Sequence, residues 1–198
     1  IRLVIHPEEG SLVAADLVPP AGGTAPGFVT LDVADGTAVR RTVGSLGIGT
    51  VYHLAAVKSA EAERRRAVAW NTNVNGLYNC LEALRPGRGA LFFTSSLAAA
   101  SDRTLYGVGK RSGELLCGYY RAAHGVDARS LRLPALLHPA LEPGGGGTAD
   151  FAGEMLCEAR GARPYRCFLA PRTSLPFLHL EDAVRAIQSF MAADARPP

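Results

Sequence analysis

Tyr106 and Lys110 stand four residues apart in Leu105-Tyr106-Gly107-Val108-Gly109-Lys110, and Thr94-Ser95-Ser96 lies just upstream. On a helix that spacing puts the phenol and the ammonium on one face, about one turn apart. An unperturbed Tyr titrates near ~10 and is a poor base at neutral pH. A fixed cation beside it favours the phenolate and lowers that value. A Ser hydroxyl from a neighbouring strand end can hold a substrate oxygen against the phenol. Together the three can move a proton on or off a carbinol oxygen while a hydride leaves or arrives at its carbon. The spacing alone also fits a solvated aromatic beside a surface Lys, so the elements that carry the trio have to decide.

Those elements alternate. Short apolar runs at 12–16, 28–33, 49–56, 90–96 and 128–134 read as strands, while 2–5 fits a helix end or a short strand. Helical patterns fill the gaps: one capped by Asp35 and running to about 43, one over 60–84, and one bearing Tyr106 and Lys110 to about 124, with Gly125 as its C-cap. Strands alternating with helices predict an α/β fold, a doubly wound parallel sheet with helices on both faces. Asp16, Ala55, Ser96 and Pro134 all follow the carboxyl ends of strands, where open α/β sheets bind ligands. A carboxylate at Asp16 suits the hydroxyls of an adenosine ribose, and small residues at 55–56 let a flat cofactor approach the backbone. Beyond Pro139 the texture changes. A Gly-rich loop at 143–148 precedes a helix over 150–162, a short strand at 166–169, an extended run at 175–180 and a helix over 183–191 with Glu181-Asp182 at its start. His179 reads as a structural histidine.

Composition removes other classes. The 198 residues suffice for a sizeable core, with 47% hydrophobic and 20% charged residues. A net charge of +3 gives no case for nucleic acid, and Arg64-Arg65-Arg66 reads as a solvated helix face. No run approaches the ~18 apolar residues of a membrane span, and no signal peptide is visible. Cys80, Cys117, Cys157 and Cys167 have no CxxC spacing, so free thiols and a cytoplasmic location are expected, and no metal.

With these motifs in view, the chain resembles the extended short-chain dehydrogenase/reductases of the NAD-dependent epimerase/dehydratase family. Within them it is most similar to the short-chain-type L-threonine 3-dehydrogenase group. The likeness rests on Val51-Tyr52-His53-Leu54-Ala55-Ala56 with Ser59-Ala60, on Ala69-Trp70 through Asn79, and on Ser95-Ser96. It continues through Tyr106 to Lys110, Arg132-Leu133-Pro134, Gly145-Gly146-Gly147-Thr148-Ala149-Asp150-Phe151 and Thr173-Ser174-Leu175-Pro176.

The resemblance implies a Rossmann-like NAD-binding domain over 1–137 and a small C-terminal substrate-binding portion over 138–198. Tyr106 would be the general base, Lys110 would lower its pKa and hold the nicotinamide ribose, and Ser96 would bond the reacting hydroxyl. Asp16 would bind the adenine ribose and favour NAD over NADP. Asp32 and Val33 would flank the adenine, Leu54, Ala55 and Ala56 would line the pyrophosphate and ribose, and Asn73 would join the cofactor-binding set. Pro134 and Leu136 would back the nicotinamide. Ser59, Thr148 and Ser174, with Ser96, would hold a small β-hydroxy amino acid or hydroxy acid. Relatives of this kind imply a homodimer formed through the helices near 60–84 and 105–124.

The sequence departs from the family's pattern. No Gly-x-x-Gly-x-x-Gly turn precedes Asp16, the stretch from Ser96 to Tyr106 is short, and the chain stops at Pro197-Pro198, ahead of the family's last substrate-domain elements. Ala149 and Ser174 stand where the narrower group has Thr and Arg, and Lys58 where it is apolar. Two other readings stay open: a nucleotide-sugar epimerase or erythronate-type sugar-acid dehydrogenase of the same fold, and a non-catalytic truncated relative that binds or scaffolds.

Overall fold

The computed structural model describes residues 3–7, 12–19, 27–138 and 149–194. Six strands form one sheet: β1 (Leu3–Pro7), β2 (Val13–Asp16), β3 (Phe28–Thr30), β4 (Ile48–His53), β5 (Ala90–Ser96) and β6 (Asp127–Leu133), in the order β3-β2-β1-β4-β5-β6. Helix α1 (Gly36–Ser45) links β3 to β4. Helices α2 (Ser59–Arg64), α3 (Arg66–Trp70) and α4 (Gly76–Leu84) link β4 to β5, and α5 (Leu105–His124) links β5 to β6. Five strands run the same way, so Asp16, Thr30, His53, Ser96 and Leu133 end on one edge of the sheet.

β1 departs from the expected all-parallel sheet, because it pairs antiparallel with both β2 and β4. The cause is the length of its connection. Only residues 8–12 separate β1 from β2, and a parallel crossover needs about a dozen residues or more. A five-residue link permits only a hairpin. The amino end of β1 therefore faces the ligand edge, with Leu3 opposite His53 and Ala15.

One face of the sheet carries Val51, Leu91 and Phe93, sealed by Val39 and Val43 of α1, Leu77, Cys80 and Leu81 of α4, and Cys117 and Tyr120 of α5. On the opposite face Thr50 and Tyr52 are half-buried, with Tyr52 tilted against Phe92. Asp35 caps α1 as expected, accepting from the Thr37 and Ala38 amides at 2.9 and 3.0 Å. The single helix expected over 60–84 is broken. Helical dihedrals are lost at Arg65, and Asn71–Asn75 forms a π-helical turn. That wide turn lets Asn73 reach across to the loop after β4. The Arg64–Arg66 run is exposed, with Arg64 paired to Glu61 at 2.6 Å, as a solvated face requires.

Beyond β6 the chain builds a two-stranded parallel sheet from β7 (Ala135–Leu137) and β8 (Phe177–His179), with α6 (Asp150–Arg160) and α7 (Leu180–Ala192). Arg129 of β6 is buried and forks onto Asp127 at 2.8 and 2.7 Å. It also donates to the carbonyls of Phe190 and Ala193, which satisfies the open end of α7. The strand expected at 166–169 does not form. Arg166, Cys167 and Phe168 are all exposed, so the segment has no buried face to hold it extended, and β7 is already paired with β8. Helix α7 begins at Leu180, earlier than expected, with Glu181 and Asp182 in its first turn.

Candidate active site

Ser96, Tyr106 and Lys110 come together at the carboxyl end of β5. Thr104 caps α5 by accepting from the Gly107 amide at 3.0 Å, and Glu63 of α2 accepts from the Leu105 amide at 2.7 Å. Two glycines let α5 lie close to its neighbours. A Cβ on Gly107 would meet the Ala98 carbonyl at 2.5 Å, and one on Gly113 would meet the Phe93 ring at 2.4 Å. The Tyr106 ring packs on a small cluster of Val57, Ala62 and Ala69, with the Ser96 side chain close to its hydroxyl. Ser96 Oγ also accepts from the Ala98 amide at 3.2 Å, which fixes its rotamer at the strand end. Lys110 is 4% exposed, donates from Nζ to the Thr94 carbonyl at 2.5 Å, and lies 4.8 Å from the Phe93 ring centre and 5.5 Å from that of Tyr106.

Burial sets the proton affinities. It pushes the Lys110 ammonium down from 10.5 to about 8. It raises the Tyr106 phenol, with the nearby Ser96 hydroxyl acting the other way. The expected lowering of Tyr106 by Lys110 is therefore not met in this state. Desolvation penalises the phenolate more than the Ser96 hydroxyl favours it, and Lys110, itself desolvated, holds its charge weakly. His53 is fully buried behind the site. Burial, then the Lys110 charge, pushes it down to about 3, and its Nε2 has no hydrogen-bond partner among the described residues.

A second group lies on the same edge. Ala15, Asp16, Leu17, Leu31, Asp32, Val33, Ala55 and Thr72 line a small pocket at the ends of β2, β3 and β4. Four of these, Asp16, Asp32, Val33 and Ala55, were expected from the sequence. Thr72 was not, and only the π-helical turn brings it there. Asp16 Oδ1 accepts from the Leu17 amide at 2.6 Å, and Asp32 Oδ1 from the Ala34 amide at 2.9 Å. Leu54 is exposed and Ala56 half-buried on the loop after β4. Asn73 sits behind that loop. It accepts from the Val57 amide at 2.7 Å and donates to the Val57 carbonyl at 3.0 Å. Its carboxamide thus positions the loop.

The remaining expected residues are less gathered. Pro134 and half-buried Leu136 flank the start of β7, Ser59 opens α2 half-buried, and Ser174 is exposed ahead of β8. Thr148 and the rest of the Gly-rich loop at 143–148 lie outside the described residues. His179 ends β8 exposed, its ring 5.9 Å from that of His138. Cys80 and Cys117 are buried free thiols pushed up to about 12 by burial, while Cys157 and Cys167 are free and exposed. No group of three potential metal-ligating side chains occurs among the described residues. Glu114, which accepts hydrogen bonds from three elements, escaped the sequence reading, although it continues the Tyr106–Lys110 face by one more turn.

Known proteins share this fold. Residues 10–198 match the family described as NAD dependent epimerase/dehydratase family. An uncharacterized epimerase/dehydratase of Staphylococcus haemolyticus is 38% identical over 183 residues, covering 85% of this chain and 57% of that protein. The holo form of a GalE-like L-threonine dehydrogenase from Cupriavidus necator superposes with a TM-score of 0.85 at 36% identity, covering 91% of this chain and 64% of the other. A monomeric L-threonine 3-dehydrogenase from a metagenome gives 0.84 at 33% identity, covering 91% and 63%. The chain therefore spans between 57% and 64% of the length of these relatives.

Proposed function

Because the chain belongs to the NAD-dependent epimerase/dehydratase family, we propose that it is an NAD-dependent oxidoreductase acting on the hydroxyl of a small β-hydroxy amino acid or hydroxy acid, as a threonine dehydrogenase does. One observation carries the reading: Ser96 and Tyr106, side by side with Lys110 buried next to them, share an edge of the sheet with the Asp16–Asp32 pocket. The adenosine end of NAD is assigned to this edge, with the Asp16 carboxylate for the ribose hydroxyls and Leu31, Val33 and Ala55 nearby for the base. Leu54–Ala56, Lys110, Pro134 and Leu136 hold the remainder in this reading. Bound in its oxidised form, NAD supplies the hydride acceptor and a positive charge that favours the phenolate.

The chain's own residues do the rest. Ser96 and Tyr106 hold the substrate hydroxyl, and Tyr106 takes its proton as the carbon is oxidised. In the reverse direction the neutral phenol, which burial favours, returns the proton. Ser59, Thr148 and Ser174 hold the charged groups of the substrate, and 138–198 forms the substrate-binding portion. The test is NADH formation with NAD, L-threonine and a panel of small hydroxy acids. Wild type should reduce NAD with at least one of them, and Tyr106→Phe should lose about 10²–10⁴-fold in rate. No NADH from any member of the panel refutes the reading.

The relatives named epimerase/dehydratase favour a second reading, an epimerase that retains NAD and releases no net NADH. Isomerisation of a nucleotide sugar without NADH release would establish it. A second copy of the chain is the proposed partner, since Val68 of α3, Tyr78 of α4 and Leu115 and Tyr119 of α5 are 40–62% exposed. Sedimentation as a dimer would support that, although one similar enzyme is described as monomeric. No described helix is long and apolar enough to cross a membrane. With buried free Cys80 and Cys117, a cytoplasmic location is the proposed one.

A further inference from the structure

Tyr106, Lys110 and Glu114 follow one another at intervals of four along α5 and so share a face. The Glu114 carboxylate collects donors from three elements. Oε1 accepts from Ser95 Oγ of β5 at 2.6 Å and from Arg132 Nε of β6 at 2.7 Å. Oε2 accepts from Arg132 Nη2 at 2.7 Å and from Arg111 Nη1 of its own helix at 3.1 Å. Its side chain is 12% exposed, and Ser95 is buried. Ser95 adjoins Ser96, and Arg132 pairs in register with Ser95, two residues ahead of Pro134.

This clasp differs from an ordinary surface ion pair, which contributes little. Its Arg132 arm is bidentate, which fixes an angle as well as a distance, and its Ser95 arm joins the helix bearing the phenol and ammonium to the strand bearing the serine. Gly107 and Gly113 seat α5 tightly against the Ala98 carbonyl and the Phe93 ring, and the clasp ties that helix to β5 and β6 one turn beyond Lys110. The geometry points to Glu114 as the positioning residue that sets the reach of Tyr106 to Ser96, acting through Ser95 and Arg132. This rests on the reading of Ser96, Tyr106 and Lys110 as the reacting groups. A displacement near ~1 Å in such a contact can cost up to about a hundred-fold in rate.

Two variants separate positioning from mere stability. Glu114→Gln keeps the shape but sets an amide N–H against an arginine donor. Ser95→Ala removes only the link to β5 and leaves the Arg132 fork intact, and it serves if the first variant does not fold. Turnover, KM for NAD and the titration of the Tyr106 phenol are measured in each, the last by NMR of ring-labelled tyrosine assigned with Tyr106→Phe. Both variants should lower kcat by about ten- to a hundred-fold with KM for NAD nearly unchanged. The phenol should titrate at higher pH, because the Ser96 hydroxyl that favours its ionised form is moved away. Wild-type turnover and an unmoved phenol, with only the melting temperature lowered, would overturn the proposal. If wild type reduces no NAD, the dehydrogenase reading fails, and the Tyr106 titration alone decides the role of Glu114: a shifted phenol supports it and an unshifted one refutes it.

Discussion

Lys110→Met should make the folded chain more stable at neutral pH and less stable in strong base. The ammonium is 4% exposed and its pKa falls from 10.5 to about 8 through desolvation. Below pH 8 the Lys is protonated in both the folded and unfolded chains, and the whole burial penalty is present. Between 8 and 10.5 the unfolded chain binds the proton that the folded chain does not, so stability rises with pH. Above 10.5 the penalty is gone. The drop to about 8 corresponds to roughly 3 kcal/mol. Methionine has a similar length and no charge, so it escapes that penalty, but it loses the bond to the Thr94 carbonyl, which contributes about 1–2 kcal/mol. At pH 7 the variant should therefore gain about 1–2 kcal/mol. Near pH 10.5 it should fall about 1–2 kcal/mol short of wild type. Urea unfolding of both proteins across this range, followed by Trp70 fluorescence, gives the difference directly, and groups common to both cancel. A difference that does not change with pH would refute the argument. Loss of turnover in the variant would show that the charge is kept at the expense of stability for the sake of the chemistry.

The Gly113→Ala variant places a Cβ within 2.4 Å of Phe93. Overpacking of this kind costs about 1–3 kcal/mol and outweighs the ~1 kcal/mol gain in helix propensity; Phe93→Leu in the same chain should restore the melting temperature. Asp16→Ser should weaken NAD by about ten- to a hundred-fold and narrow the gap to NADP, because the carboxylate that bonds the ribose and repels a 2′-phosphate is removed; steady-state KM values for both cofactors report it. His53 is pushed down to about 3, so the unfolded chain binds a proton between pH 6.5 and 3 that the folded chain refuses. The stability it leaves intact above pH 6.5 is lost as pH falls. His53→Leu should move the acid-unfolding midpoint to lower pH by circular dichroism, and an unchanged midpoint would remove His53 from the explanation.

Local chemistry made much of this molecule legible in one dimension. The spacing of Tyr106 and Lys110, the Asp35 cap, the Gly125 terminus of α5 and the apolar runs of β2 to β6 are short-range features, and each formed where its residues dictate. Asp16, Asp32, Val33 and Ala55 met in one pocket because parallel strands must end on one edge. Tertiary structure decided the rest. β1 turned antiparallel because five residues cannot make a crossover, a limit set by chain length and not by strand propensity. The π-helical turn carried Thr72 to the pocket and spent Asn73 on Val57, since the helix had to meet the loop after β4. Burial set the direction of the shifts at Tyr106 and Lys110, and no spacing rule reports burial. Glu114 lay on the same helical face all along. Its partners Ser95 and Arg132 are 19 and 18 residues away and became neighbours only when β5, α5 and β6 packed.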